Sequence, residues 1–117
     1  HINFIGYLEH KKVYEIYKKG DVFVLPSYGE GLPKAALEAA SLSLPLILTD
    51  VPGCRECIEE NGMLVQSQNS RALKQAMEEF INNPQLINTM GKKSLEICSK
   101  KFSIKKIAGD YDKLILR

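Results

Sequence analysis

The stretch from Asp21 to Ser43 does most to limit what this chain can become. Asp21-Val-Phe-Val-Leu25 is short, apolar and rich in β-formers, which reads as a buried strand. Pro26 cannot donate to a ladder and ends it. Gly29 and Gly31 permit a tight turn and a close approach to a ligand. Pro33 suits the first helical position, where its missing N–H costs nothing. Lys34 to Ser43 continues with good helix formers. A helix N-terminus is thereby aimed at the carboxyl end of a strand, an arrangement suited to a phosphate.

Two carboxylates sharpen that expectation. Glu30 precedes the helix, and Glu38 lies about 7–8 Å along its axis from Pro33. A nucleotide sugar has two hydroxyl-rich ends, hexose and ribose, joined by an anionic diphosphate. Each carboxylate can accept hydrogen bonds from one sugar while helix N–H groups face the diphosphate. The competing reading makes Glu38 an exposed helix glutamate paired with Lys34. Against it, Ala35, Ala36, Leu37, Ala39 and Ala40 make this helix apolar nearly all round, which predicts burial.

The rest of the chain alternates in the same way. His1 to Ile5 reads as a strand and Glu9 to Lys19 as a helix with Val13, Ile16 and Tyr17 inward, stopped at Gly20. Strand 21–25, helix 33–43 and a strand at Pro45 to Leu48 follow. Thr49 to Gly53 is a loop, Arg55 to Glu60 a short helix at best, Asn61-Gly62 a turn and Met63 to Val65 a short strand. Asn69 or Ser70 caps a helix with Leu73, Ala76, Met77 and Phe80 on one face. Asn83-Pro84 breaks it, and Pro84 starts another with Leu86, Ile87, Met90, Leu95 and Ile97. Ser103 caps a last helix over 104–116. Alternating strands and helices predict a Rossmann-like α/β fold of three layers, α/β/α, around a parallel sheet with strand 21–25 at its centre.

Several function classes fall away. The net charge of +2 is too small to argue for nucleic acid. No apolar run reaches the ~18 residues of a membrane span. Cys54 and Cys57 have half the ligands of a zinc site and no second pair completes it, so no metal is expected and the thiols read as reduced. Gly29-Glu-Gly31 begins like a dinucleotide fingerprint, but Lys34 stands at the last glycine. Gly91-Lys-Lys-Ser94 has the wrong spacing for a phosphate loop. The basic cluster Lys100, Lys101, Lys105 and Lys106 reads as a solvated face, with an acidic membrane surface as its alternative.

Glu30-Gly-Leu-Pro-Lys-Ala-Ala-Leu-Glu38 resembles the E-x7-E motif of retaining GT-B glycosyltransferases, specifically glycosyltransferase family 4. The continuation through Pro52-Gly-Cys-Arg-Glu56 and the late Phe102-Ser103 are similar to the same family, in the same order. The resemblance implies a C-terminal donor-binding half of a GT-B fold over residues 1–117. It implies an N-terminal acceptor-binding domain and an Arg–Lys pair for the diphosphate upstream of residue 1, so that the chain alone should be inactive. By that resemblance Glu30 contacts the donor sugar as the catalytic position. The backbone of Gly29, Gly31, Leu32, Pro33 and Lys34 lies against sugar and diphosphate, and Glu38 holds the ribose. Gly6 and Tyr7 lie near the base. Leu32-Pro33 replaces the second glycine common in the family, which leaves the sugar open.

The implied activity is transfer of a hexose or N-acetylhexosamine from a nucleotide diphosphate sugar, a UDP-sugar in the first instance, to a glycan or lipid-linked acceptor in polysaccharide biosynthesis. No cofactor is required. The expected location is cytoplasmic, with peripheral contact to the membrane face as a variant. Two other classes remain: a stand-alone doubly wound binding or regulatory module in which both glutamates are structural, and a nucleotide-sugar epimerase of the same architecture.

Overall fold

The sheet begins at β1, Phe23–Leu25, and grows in one direction through β2, Leu46–Thr49, to β3, Gly62–Val65, all parallel. A computed structural model describes residues 2–29 and 31–101. In register, Val24 faces Ile47 and Ile47 faces Met63, while Leu25 faces Leu48 and Leu48 faces Leu64. β2 is therefore central and buried at every position. The expectation that residues 21–25 are central is corrected: β1 lies at the edge of this sheet and is only half-buried. Sheet order is set by pairing between distant segments, and β2 is the strand with a partner on each side.

Period-two alternation sends the two faces of β2 to different helices. Leu46 and Leu48, with Phe23 and Leu25, meet α2, Lys34–Ser41. Ile47, with Val24, Met63 and Val65, meets Ala76 and Phe80 of α3, Ser70–Asn82, and Leu86, Ile87 and Met90 of α4, Gln85–Lys101. Tyr17 of α1, His10–Lys19, closes the α2 side with its ring against Phe23. Burying Leu46, Ile47 and Leu48 completely contributes about 1.5–3 kcal/mol each. The three-layer α/β arrangement with a parallel sheet is thus the fold.

α4 is pinned to the strand layer by close contacts. The Asn61 amide is fully buried: its Nδ2 donates to the Cys57 carbonyl at 3.0 Å and to Ser94 Oγ at 3.2 Å. Asn61 Oδ1 accepts from the Glu59 N–H at 2.6 Å. Gly62 passes so near β2 that an added Cβ would lie 1.9 Å from the Leu46 carbonyl oxygen. Gly91 of α4 passes the Ser43 carbonyl, where an added Cβ would stand at 2.3 Å.

Other expectations change. Residues 2–5 form no strand. Ile2 and Phe4 are 80% and 96% exposed, because no described segment supplies a ladder partner for them. Asn61-Gly62 is the entry to β3 rather than a free turn, since the Asn61 side chain is bound by its neighbours. Gly20 caps the end of α1 as expected, in an extended conformation. Met77 is exposed and borders an open groove with Phe80, Ile81 and Pro84. Arg55–Cys57 is a single 3-10 turn. Asn69 is the α3 cap: its Oδ1 accepts from the Ala72 N–H at 2.9 Å. The expected helix over 104–116 lies outside the described residues.

Candidate functional site

All three strands run parallel, so their carboxyl ends share one side of the sheet, where open α/β sheets bind ligands. β1 ends at Leu25 and hands the chain to Pro26, Ser27 and Tyr28. The buried Thr49 at the end of β2 donates its hydroxyl to the Ser27 carbonyl at 2.5 Å and ties that loop to the central strand. Beyond the loop, Pro33 is buried and stands just before α2 rather than at its first helical position. Its ψ of 103° is extended, as an N-cap requires, and its carbonyl accepts from the Ala36 and Leu37 N–H groups at 3.1 and 3.2 Å. Helix geometry leaves the Lys34 and Ala35 N–H groups directed out of the helix start. The macrodipole makes this end electropositive.

Glu38 is 4% exposed, one turn inside α2. The reading of it as an exposed surface glutamate is therefore overturned. Its charge reaches α1. The Tyr14 and Tyr17 hydroxyls are both pushed above the usual tyrosine range, first by burial and then by the Glu38 carboxylate. Gly29 and Gly31 are exposed, as is Leu32, and Lys34 opens the helix with its side chain in solvent. Glu30 lies outside the described residues. Gly6 and Tyr7 are exposed on the segment before α1. The structure thus brings Gly31 to Lys34 together with Glu38 on one helix start.

Residues that the sequence pattern did not single out also gather at this end. Pro26, Tyr28, Thr49, Val65, Gln66, Gln68, Asn69, Ser70 and Leu73 line a cleft of about 440 Å³. Its only sequence signal is the polar run from Gln66 to Ser70 directly after β3. Nearby, the Arg55 guanidinium donates to the Asp50 carboxylate and, at 3.3 Å, to the Asp50 carbonyl.

The cysteines belong to the packing. Cys54, Cys57 and Cys98 are buried in the α2-side core. Burial, then the neighbouring Cys54, pushes the Cys57 thiol up to about 12, which keeps it protonated at neutral pH. Among the described residues no three His, Cys, Asp or Glu side chains converge as a metal site would need. Gly91 and Ser94 are buried packing positions within α4. Lys100 and Lys101 pair with Glu96 at 2.9 Å and Glu59 at 2.8 Å; Lys105 and Lys106 lie outside the described residues. Among the described residues no helix is long and apolar enough to cross a membrane.

Residues 1–96 match the family model of glycosyl transferases group 1. An O-antigen biosynthesis glycosyltransferase of Escherichia coli is 35% identical over 98% of this chain and 32% of its own length. The structure superposes on sucrose-phosphate synthase of Thermosynechococcus elongatus with a TM-score of 0.84 and 32% identity, covering 96% of this chain and 29% of that one. Anabaena HepE in complex with UDP-glucose gives a TM-score of 0.73 at 18% identity, over 87% of this chain and 29% of that one. The chain spans about a third of the length of the curated relatives it matches. Its parallel sheet and helix layers are those of part of a GT-B glycosyltransferase. By family model, relatives and structure together, the chain belongs to the group 1 glycosyltransferases.

Proposed function

We propose that this chain is the donor-binding part of a retaining, family 4 glycosyltransferase that uses a UDP-sugar. The carrying observation is the buried Glu38 standing one turn behind an α2 start whose N–H groups face the carboxyl end of the sheet. The diphosphate takes the electropositive helix start, with the backbone of Gly29 and of Gly31 to Lys34 along it. Glu38 holds the ribose, and Glu30 holds the hexose beside the breaking bond. Gly6 and Tyr7 lie toward the base. HepE, which shares the fold, is seen with UDP-glucose, and this supports a uridine donor. Biosynthetic relatives such as the O-antigen enzyme support a hexose or N-acetylhexosamine passed to a glycan or lipid-linked acceptor. The acceptor would be presented by a preceding domain on the cytoplasmic side of a membrane. No metal or cofactor enters this scheme.

Transfer needs the leaving diphosphate stabilised and the acceptor hydroxyl positioned. Glu30 acts on the reacting sugar, whereas Glu38 acts on a ribose that does not react. In the intact enzyme, Glu30→Gln loses a charge-assisted hydrogen bond of about 1.5–3 kcal/mol from the sugar, and turnover falls. Glu38→Gln chiefly weakens nucleotide binding, because its contacts are alike in ground and transition states. Steady-state kinetics with a UDP-sugar and calorimetry with UDP separate the two. Unchanged kcat in the first variant, or unchanged UDP affinity in the second, refutes that assignment.

A further inference from the structure

The cleft at the ends of β2 and β3 is built from three separate segments and has a directional polar lining. Asn69 uses Oδ1 to accept the Ala72 N–H, which turns its Nδ2 outward to donate to Gln66 Oε1 at 3.1 Å. Gln66 is thereby oriented with its own Nε2 donors free to point away from that bond. Thr49 spends its hydroxyl proton on Ser27 and keeps a lone pair to accept. Tyr28 is 77% exposed and supplies an aromatic wall. Among the described residues, every side chain lining the cleft is uncharged.

From this lining we infer that the cleft is a subsite for a neutral saccharide unit, separate from the α2 start that would take the diphosphate. The inference rests on the glycosyltransferase reading for the ligand's chemical class. An aromatic wall takes the apolar C–H face of a pyranose, and amides and hydroxyls take its ring hydroxyls without a charge partner. Among the described lining residues no side chain carries a positive charge to pair with an anion. A nucleobase finds a single flat wall where stacking would favour two. None of Gly31, Leu32, Pro33, Lys34 or Glu38 lines the cleft, so its occupant is a second sugar, the acceptor's or the next one along a glycan.

The test is an amide NMR titration of the 117-residue chain. Methyl glycosides of glucose, galactose, mannose and N-acetylglucosamine are the probes, with UDP and uridine in separate titrations. The expected result is that at least one glycoside shifts the Gln66 side-chain amide and the Asn69 and Ser70 backbone amides. Tyr28→Ala and Gln66→Ala should each weaken that binding about fivefold or more while UDP shifts stay as they were. Glycoside shifts confined to residues 31–35, no shifts with any glycoside, uridine shifting Gln66 and Asn69, or unchanged glycoside affinity in both variants would each overturn the subsite. Glycoside shifts at Gln66 without any UDP binding would leave the subsite standing and defeat the donor reading instead.

Discussion

Gly62 and Gly91 lie where two backbones meet: a Cβ on either would come within 2.3 Å of a carbonyl oxygen. Gly29 and Gly31 lie where, among the described residues, a Cβ would meet nothing within 4 Å. The first pair is explained by the fold, because β3 and α4 cannot close on their neighbours without it. The second pair is not explained by packing. Gly29 does not take the left-handed conformation that would demand glycine either. The folded chain therefore separates a scaffold, in which each atom is constrained by other atoms of the chain, from a rim that packing leaves unconstrained and that, under the proposed function, a docking donor would constrain instead.

The strongest way to break that division is Gly62→Ala. The new methyl must push β3 from β2 at the register position opposite Leu46. We expect a loss of about 3 kcal/mol or more, or failure to fold, measured by denaturant unfolding. A loss below ~1 kcal/mol would show that the β2–β3 pair yields, and the scaffold would then be softer than its geometry says.

Asn61→Ala probes the same scaffold through a side chain. It strips hydrogen bonds from the Cys57 carbonyl, the Glu59 N–H and Ser94 Oγ in a site closed to water. Leaving such groups unpaired costs about 2 kcal/mol. Ser94→Ala, which removes one partner and keeps the Asn61 bonds to the Cys57 carbonyl and the Glu59 N–H, should cost about half as much. Equal losses in the two variants would mean that the Asn61–Ser94 bond, and not the 57–61 turn, carries the energy.

These positions also show where the sequence is readable. The segments at 23–25, 34–41, 46–49 and 62–65 announce themselves by apolar runs between Pro and Gly, since local propensity and tertiary demand agree there. Glu38 is legible as buried because its neighbours are alanines. Sheet order is not legible: β1 and β2 have the same pattern, and only pairing makes β2 central. Residues 2–5 carry a strand's composition, but a strand exists only with a ladder partner. Asn61-Gly62 has the signature of an exposed turn. Here the amide is spent inside the protein and the glycine on a close approach. The cleft is the least legible feature, since Tyr28, Thr49, Gln66 and Asn69 come from three separate segments that meet only after folding.

The smallest effect on stability, and the sharpest on the division itself, is expected at Gly29. Gly29→Ala adds a methyl to open space at a residue whose φ an alanine accepts. Restricting the unfolded chain then favours the native state, so stability should stay level or rise by ~0.4–1 kcal/mol. If the loop instead exists to let a diphosphate sugar approach the backbone, the same methyl stands between ligand and chain. UDP-sugar affinity should then fall about tenfold, or about 1.4 kcal/mol, with the unfolding midpoint undiminished. Calorimetry with a UDP-sugar beside a thermal melt reads both quantities on one sample. A variant that binds as well as the parent would show that Gly29 is neither a packing nor an approach glycine, and the rim would lose its claim to be shaped by a donor.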